Sequence, residues 1–317
     1  MSLKRCLPIL LLSLSLILTA FAQPRSAAPL ANAPQQVLIN PATSPQLLLG
    51  NPSNATSDPR NKDNFLLSKR YYALAYDSDA GIPRWVSWQL TRDYLGDAPR
   101  KREFAEDLSL PPGLTRITHK DYLESGFDRG HMCPHADRGR DIDMSYATFV
   151  MTNIIPQAPS VNQKAWAMLE DYLRDLVQKQ DAHIYIIAGP AGRGGWGSKG
   201  FRTAIANGKV HVPGQCWKIA LILPGGSGGP AADFQKITPA SRVLAVIMPN
   251  DNSVSYSWAQ YRTSVNEIEN VTGLKFFDKL PPATAAALKA QIDTTDIPQQ
   301  QHPTYGDENT NRPTPGE

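Results

Sequence analysis

The chain has 317 residues, with 32 lysines and arginines against 29 aspartates and glutamates and a formal net charge of +3. That near balance excludes an argument for a polyanionic partner from the overall field, so any such partner has to be argued from local placement. With 41% apolar residues the chain can bury a substantial core, and its three cysteines are too few for a disulfide framework.

Taken in chain order, residues 1–22 read as a signal peptide. Lys4 and Arg5 form a charged start, Leu7 to Leu18 an apolar run, and Ala20-Phe21-Ala22 a small-x-small cleavage pattern. The run is short for a permanent membrane span; an uncleaved anchor is the alternative. Cys6 leaves with this segment, and Cys133 and Cys216 remain either to pair or to stay buried and free. Residues 23–45 are rich in Ala, Pro, Gln and Asn, and the tail over 297–317 is rich in Pro, Gln, Thr and Asn. Both read as disordered segments with too few large apolar side chains to offset the entropy of ordering. One folded domain is expected over 46–296.

Within it, RYYALAYDS and PRWVSWQLT flank the turn residues Asp79, Ala80 and Gly81 and predict a hairpin. Further strands are expected at His183 to Ala188, Cys216 to Leu223 and Arg242 to Met248. The stripe Trp166, Leu169, Leu173, Leu176 predicts a helix over 163–179. A second helix is expected over 257–270 from Trp258, Tyr261, Val265 and Ile268, and a third over 282–292. Strands and helices do not alternate strictly, so the fold class is α+β, with a mainly antiparallel central sheet flanked by helices.

Three segments offer chemistry. Gly192 to Gly197 formally matches G-x-G-x-x-G, but no helix pattern begins there and no acid follows at the distance a ribose needs, so it reads as a flexible surface loop. GFDRGHMCPHADR, over 126–138, has His131, Cys133 and His135 at alternate positions, a spacing that admits a zinc site, although Pro134 interrupts it and no matching histidine pair lies elsewhere. A solvated polar loop is the plain alternative. Downstream, TNIIPQAPSVNQKAWAMLEDYLRD places Asn162 just before the long helix, where it could simply be its cap. Glu170 and Arg174 are one turn apart, as a surface ion pair would be.

Together the two segments resemble the DNA/RNA non-specific endonucleases of the ββα-metal class, and look most like their secreted bacterial and cyanobacterial members. The motifs that carry the resemblance are D-R-G-H at Asp128 to His131, then Thr152-Asn153, Pro156-Gln157, Asn162, Trp166 and Leu169-Glu170. Carried over residue by residue, the resemblance implies His131 as general base and Asn162 as direct ligand of one Mg²⁺ or Mn²⁺ ion. It makes Glu170 the acid that orients water around that ion, and Arg174 and Arg129 donors to phosphate. A pattern R-x-x-x-F-x-x-D falls on Arg100, Phe104 and Asp107, with Arg102 a close competitor for the upstream arginine. Relatives carry Ala-Pro and a small residue where this chain has Cys133-Pro134-His135.

These residue types suit phosphodiester hydrolysis. An imidazole of pKa about 6.5 is available to take a proton from water. A neutral amide ligand leaves most positions on an ion to water, which suits Mg²⁺ or Mn²⁺ better than zinc. Arginine offers a planar, permanently charged fork to phosphate oxygens. Nothing in the set reads a base edge, so weak sequence preference and tolerance of both DNA and RNA follow; the resemblance implies cleavage of single- and double-stranded substrates to 5′-phosphate products. Alternatives are a metal-dependent phosphodiesterase on small esters and a nucleic-acid-binding protein that has lost catalysis. The signal implies a secreted or periplasmic protein, for which an inhibitor protein in the producing cell is a candidate partner.

Overall fold

Along the central strands, residues pointing to one side and residues pointing to the other are both apolar, the pattern of a sheet covered on both faces. The computed structural model describes residues 36–100 and 103–297. The signal segment, most of the tether, Arg102 and the tail beyond 297 lie outside the described residues.

The first three strands are β1 (Phe65–Ser68), β2 (Ala73–Asp77) and β3 (Ile82–Leu90). β2 and β3 form the expected hairpin, its turn tied by the amides of Asp79 and Ala80 donating to Asp77 Oδ1 at 3.0 and 2.8 Å. A small excursion follows: β4 (Asp128–His131), the short helix α1 (Ile142–Ala147), β5 (Ile154–Gln157) and the long helix α2 (Trp166–Gln180). The chain returns to the sheet with β6 (His183–Ala191) and leaves it again for two small hairpins, β7 (Gly195–Gly197) with β8 (Gly200–Arg202) and β9 (Ala204–Ile205) with β10 (Val210–His211). β11 (Gln215–Leu223), α3 (Gly229–Lys236), β12 (Arg242–Pro249), β13 (Arg262–Thr263), α4 (Val265–Thr272) and α5 (Pro282–Ala290) complete the order.

Seven strands make the main sheet in the order β1-β2-β3-β6-β11-β12-β13, antiparallel throughout. The chain is therefore α+β. Ile184, Ile186 and Ala188 of β6 face one core with Trp88, Leu244 and the α2 residues Trp166, Leu169, Leu173 and Leu176. Tyr185 and Ile187 face the other, with Trp217, Ile219, Val265, Ile268, Phe276 and Leu288. Each large apolar side chain so buried stabilises the fold by roughly 1.5–3 kcal/mol. α2 ends where Asp181 turns left-handed and its neighbour Ala182 donates back to Leu176.

Three expectations need correction. The segment read as one helix over 257–270 is split. A single 3-10 turn at Trp258–Tyr261 gives way to β13, which pairs with Ala245 and Val246, and Ser264 then starts α4 by accepting from the Glu267 amide at 3.2 Å. Ladder bonds on the sheet edge and a Ser-x-x-Glu start signal outweigh a stripe that only looks continuous. The glycine-rich segment is no free loop but the β7–β8 hairpin, bonded on both sides. Finally, the end of the tether is ordered, with the Ile39 amide donating to Ser68 and the Arg70 amide to Val37.

Candidate active site

β4, β5 and α2 form a strand–strand–helix unit. Gly130 lies opposite Ile155 in the β4–β5 pair, and a Cβ there would meet the buried Gln157 side chain, its Cβ at 2.7 Å, so the packing of Gln157 over this position favours glycine. Asn153 locks the chain beyond His131. Its Oδ1 accepts the Cys133 amide at 3.0 Å, while its Nδ2 donates to the carbonyls of Cys133 and Thr148 at 2.8 and 2.9 Å. From the end of β12, Asn250 Oδ1 accepts the Ala158 amide at 2.7 Å and Asn252 Oδ1 the Ser160 amide at 2.9 Å, which fixes the turn into α2.

His131 ends β4 between two rings, Phe149 edge-on at 4.7 Å between centroids and Phe104 at 5.2 Å. Its Nε2 is buried and has no hydrogen-bond partner among the described residues. Burial first, then the charges of Arg100, His135 and Arg129, hold its pKa well below the ordinary histidine value, so the imidazole is neutral at pH 7. Arg129 lies over the Phe104 ring at 4.9 Å and Arg100 over Phe149 at 5.7 Å, so both guanidinium groups flank the rings that hold His131. His135 also approaches Phe149, at 5.8 Å, with its Nδ1 buried and unpartnered. Burial and the charges of Arg100 and Arg174 push its pKa down to about 4.

Asn162 is not a helix cap. It sits in a wide π-type turn, Val161–Ala165, that leads into α2, and its Nδ2 donates to Asp128 Oδ2 at 2.9 Å. Gln163 Nε2 donates to the same oxygen at 2.9 Å. With its nitrogen committed to Asp128, the Asn162 amide presents its oxygen elsewhere. Burial raises the Asp128 pKa, against the pull of those two donors.

Glu170 and Arg174 do not form the surface ion pair that was the plain alternative for them. Glu170 Oε1 accepts from Lys218 Nζ at 2.9 Å, and burial raises its pKa against the Lys218 charge. Lys218 is fully buried on β11, with Nζ 4.2 Å from the Trp166 ring centroid. Arg174 donates to Asp137 Oδ1 at 2.8 Å and to Asp171, and Asp137 Oδ2 in turn accepts from Trp88 Nε1 at 2.9 Å. Although burial disfavours its charge, the carboxylates of Asp137, Glu170 and Asp171 outweigh that and raise the Arg174 pKa.

The zinc reading finds no support: among the described residues no three His, Cys, Asp or Glu side chains cluster as metal ligands. Cys133 turns into the core and, like Cys216, is a buried free thiol with its pKa pushed up to about 12 by burial. Asp107, in the same pattern as Arg100 and Phe104, is an anchor: it pairs with the buried Lys69 ammonium and accepts from the Thr152 and Ser109 hydroxyls. That fastens the loop carrying Phe104 beside Thr152-Asn153.

A neutral buried imidazole, an amide held by Asp128 and two flanking guanidinium groups thus come together at one place. Residues 49–283 match the sequence profile of the DNA/RNA non-specific endonucleases. The chain belongs to that family. A nuclease of Nostoc sp. is 41% identical over 255 residues, 80% of this chain and 88% of that one. The mouse mitochondrial nuclease EXOG is 28% identical over 237 residues, 72% of this chain but only 61% of that one. The crystal structure of an EndoG/EndoGI complex has the same fold, with a TM-score of 0.58 and 24% identity over 74% of this chain and 91% of that chain. This DNA/RNA endonuclease is thus a hydrolase.

The contacts of four residues at the candidate site escaped the sequence analysis. Asp128 is in plain view in DRGH, yet nothing in the string says that it holds Asn162 thirty-four residues away. Lys218 did leave a signal: a lysine inside the apolar strand CWKIALIL is expected only where a carboxylate meets it. Asp137 left no signal of its own, and Asn153, although part of the motif that carries the resemblance, left none for its bonds to Cys133.

Proposed function

We propose that this endonuclease is exported and hydrolyses single- and double-stranded DNA and RNA to 5′-phosphate products, with His131 as general base and one Mg²⁺ or Mn²⁺ ion near Asn162. The observation that carries the reading is the Asp128–Asn162 bond, because it turns the one neutral amide ligand into an oriented oxygen donor. Hard oxygen donors fit these ions. Asn162 lies in the wide turn before α2 and Glu170 on α2 itself, about two helical turns further on. Both side chains therefore serve one ion only if Glu170 acts through intervening water. When bound, the ion supplies positive charge against the charge developing on the phosphate and the leaving 3′ oxygen.

Every other step belongs to the chain. His131, neutral and lacking a partner on Nε2, takes a proton from the attacking water. Arg100 and Arg129 donate to phosphate oxygens beside it. Arg174 adds positive charge one turn beyond Glu170 and reaches a phosphate only by giving up a bond to Asp137 or Asp171. Because each donor addresses phosphate, cleavage is indifferent to base and sugar. An inhibitor protein in the producing cell is a further proposed partner.

The test is incubation of supercoiled plasmid and of total RNA with the purified protein, with Mg²⁺ or with EDTA, followed by end-labelling of the products. Both substrates should be cut only with the ion, and kinase should label the ends only after phosphatase. Absence of cleavage by the folded protein would move the weight to a small-ester phosphodiesterase or a binding protein. Export predicts that the protein recovered outside the cytoplasm begins at Gln23.

A further inference from the structure

The segment over 192–203, GRGGWGSKGFRT, plays no part in the site described above, yet it carries the largest exposed aromatic side chain of the described residues. Trp196 is 53% exposed and Phe201 44%. The other five tryptophans, Trp85, Trp88, Trp166, Trp217 and Trp258, are all buried. The two exposed rings face each other across the β7–β8 pair, 5.5 Å apart between centroids. Solvating two such rings side by side is unfavourable, and nothing among the described residues covers them.

The hairpin is held rigidly, and by its main chain. The Trp196 amide donates to the Asn250 carbonyl at 2.9 Å, the Asn252 amide to the Trp196 carbonyl at 3.2 Å, and the Ser198 amide to the Gly126 carbonyl at 2.8 Å. Its glycines are there for contact: a Cβ on Gly197 would meet the Gly126 carbonyl at 2.4 Å, and one on Gly194 would meet the Phe201 ring at the same distance. These attachments are the two segments that build the active site. Gly126 is two residues, at most about 7 Å of chain, from Asp128. Asn252 holds the Ser160 amide, two residues before Asn162.

The hairpin also has a sign. Over 192–203 there are three basic residues, Arg193, Lys199 and Arg202, and no acid. All three are exposed, and none is in an ion pair among the described residues. Rings that stack on any base, next to cations that follow a backbone, are the components of a sequence-tolerant grip on an unpaired strand.

We propose that Trp196 and Phe201 form a stacking platform for unpaired bases of the substrate strand beside the scissile phosphate. Within the endonuclease reading on which it rests, this makes them positioning residues that favour single-stranded or locally melted substrate over closed duplex. Stacking is indifferent to base and sugar, so the platform strengthens binding without adding sequence preference.

The test uses the purified protein in EDTA, titrated with a short oligothymidylate while tryptophan emission is recorded. Binding should quench the emission of the exposed Trp196, and Trp196→Ala should abolish the quench. With Mg²⁺ restored, Trp196→Ala and Phe201→Ala should each raise KM for the oligothymidylate by about fivefold to a hundredfold, the loss of one base–aromatic stack, with a much smaller change in kcat. KM for a closed hairpin duplex should move much less, and Trp196→Phe should restore most of the loss. An unchanged oligothymidylate KM in both alanine variants would overturn the platform and leave the rings as a surface for a protein partner. An unquenched titration of wild type would overturn it too. Because the titration needs no cleavage, it decides the platform separately from the plasmid assay that decides the enzymatic reading.

Discussion

An imidazole enclosed by Phe104 and Phe149 and flanked by Arg100 and Arg129 is kept neutral in the free protein and so is ready to take a proton. The folded pKa of His131 is depressed, so the base is competent at any pH above that depressed value and is lost only as pH falls through it. The acidic limb of kcat/KM should therefore lie below about 6.5, the ordinary histidine value, in a profile taken at saturating Mg²⁺. A limb at or above that value would contradict the buried geometry. Asp128 acts one step further out. Asp128→Ala frees the Asn162 amide to rotate, and the Mg²⁺ concentration for half-maximal activity should rise about tenfold to a hundredfold. Asp128→Asn keeps an oxygen for Asn162 Nδ2 to meet and should lose much less; equal losses in a Mg²⁺ titration would sink the positioning role.

At the scale of elements, the candidate site is where the small β4–β5 pair and α2 are packed on the main sheet, and the Lys218–Glu170 bond is a polar tie between β11 and α2. Lys218→Ala leaves the buried Glu170 carboxylate without its partner and should destabilise the fold by about 3–5 kcal/mol, read by urea unfolding. Lys218→Ala with Glu170→Gln should recover much of that; no recovery would mean that the pair does not carry the loss. The central strands β2, β3, β6, β11 and β12 and the helix α2 were legible in the sequence because Trp166, Leu169, Leu173 and Leu176 repeat at helical spacing, and because short apolar strands end at Gly or Pro; β4 and β5, which carry the site, were not. The wide turn that carries Asn162 was not, since the apolar stripe begins only at Trp166 and an asparagine before a helix looks like a cap. The break at Arg262 was hidden because a 3-10 turn and α4 happen to place Trp258, Tyr261, Val265 and Ile268 at one helical spacing. The site was named through motif resemblance, while its bonds, Asp128 to Asn162 and Glu170 to Lys218, join residues too far apart in sequence for any local pattern to show.

For the whole molecule, the cluster that keeps the site ready also makes it sensitive to acid. His135 has a folded pKa of about 4, below its ordinary value of 6.5. The unfolded chain therefore binds the extra proton first, and stability falls as pH drops from about 6.5 towards about 4. The melting temperature of wild type should decline across that window, and more shallowly in His135→Ser; parallel declines would show that His135 is not the group responsible. The central claim nevertheless rests on one ring, and the most direct measurement is plasmid cleavage by His131→Ala beside wild type, with Mg²⁺ present and the melting temperature of the variant checked. Loss of a positioned general base predicts a rate lower by about a hundredfold to ten-thousandfold in a variant that still folds. A folded His131→Ala that cleaves within a few-fold of wild type would contradict the account.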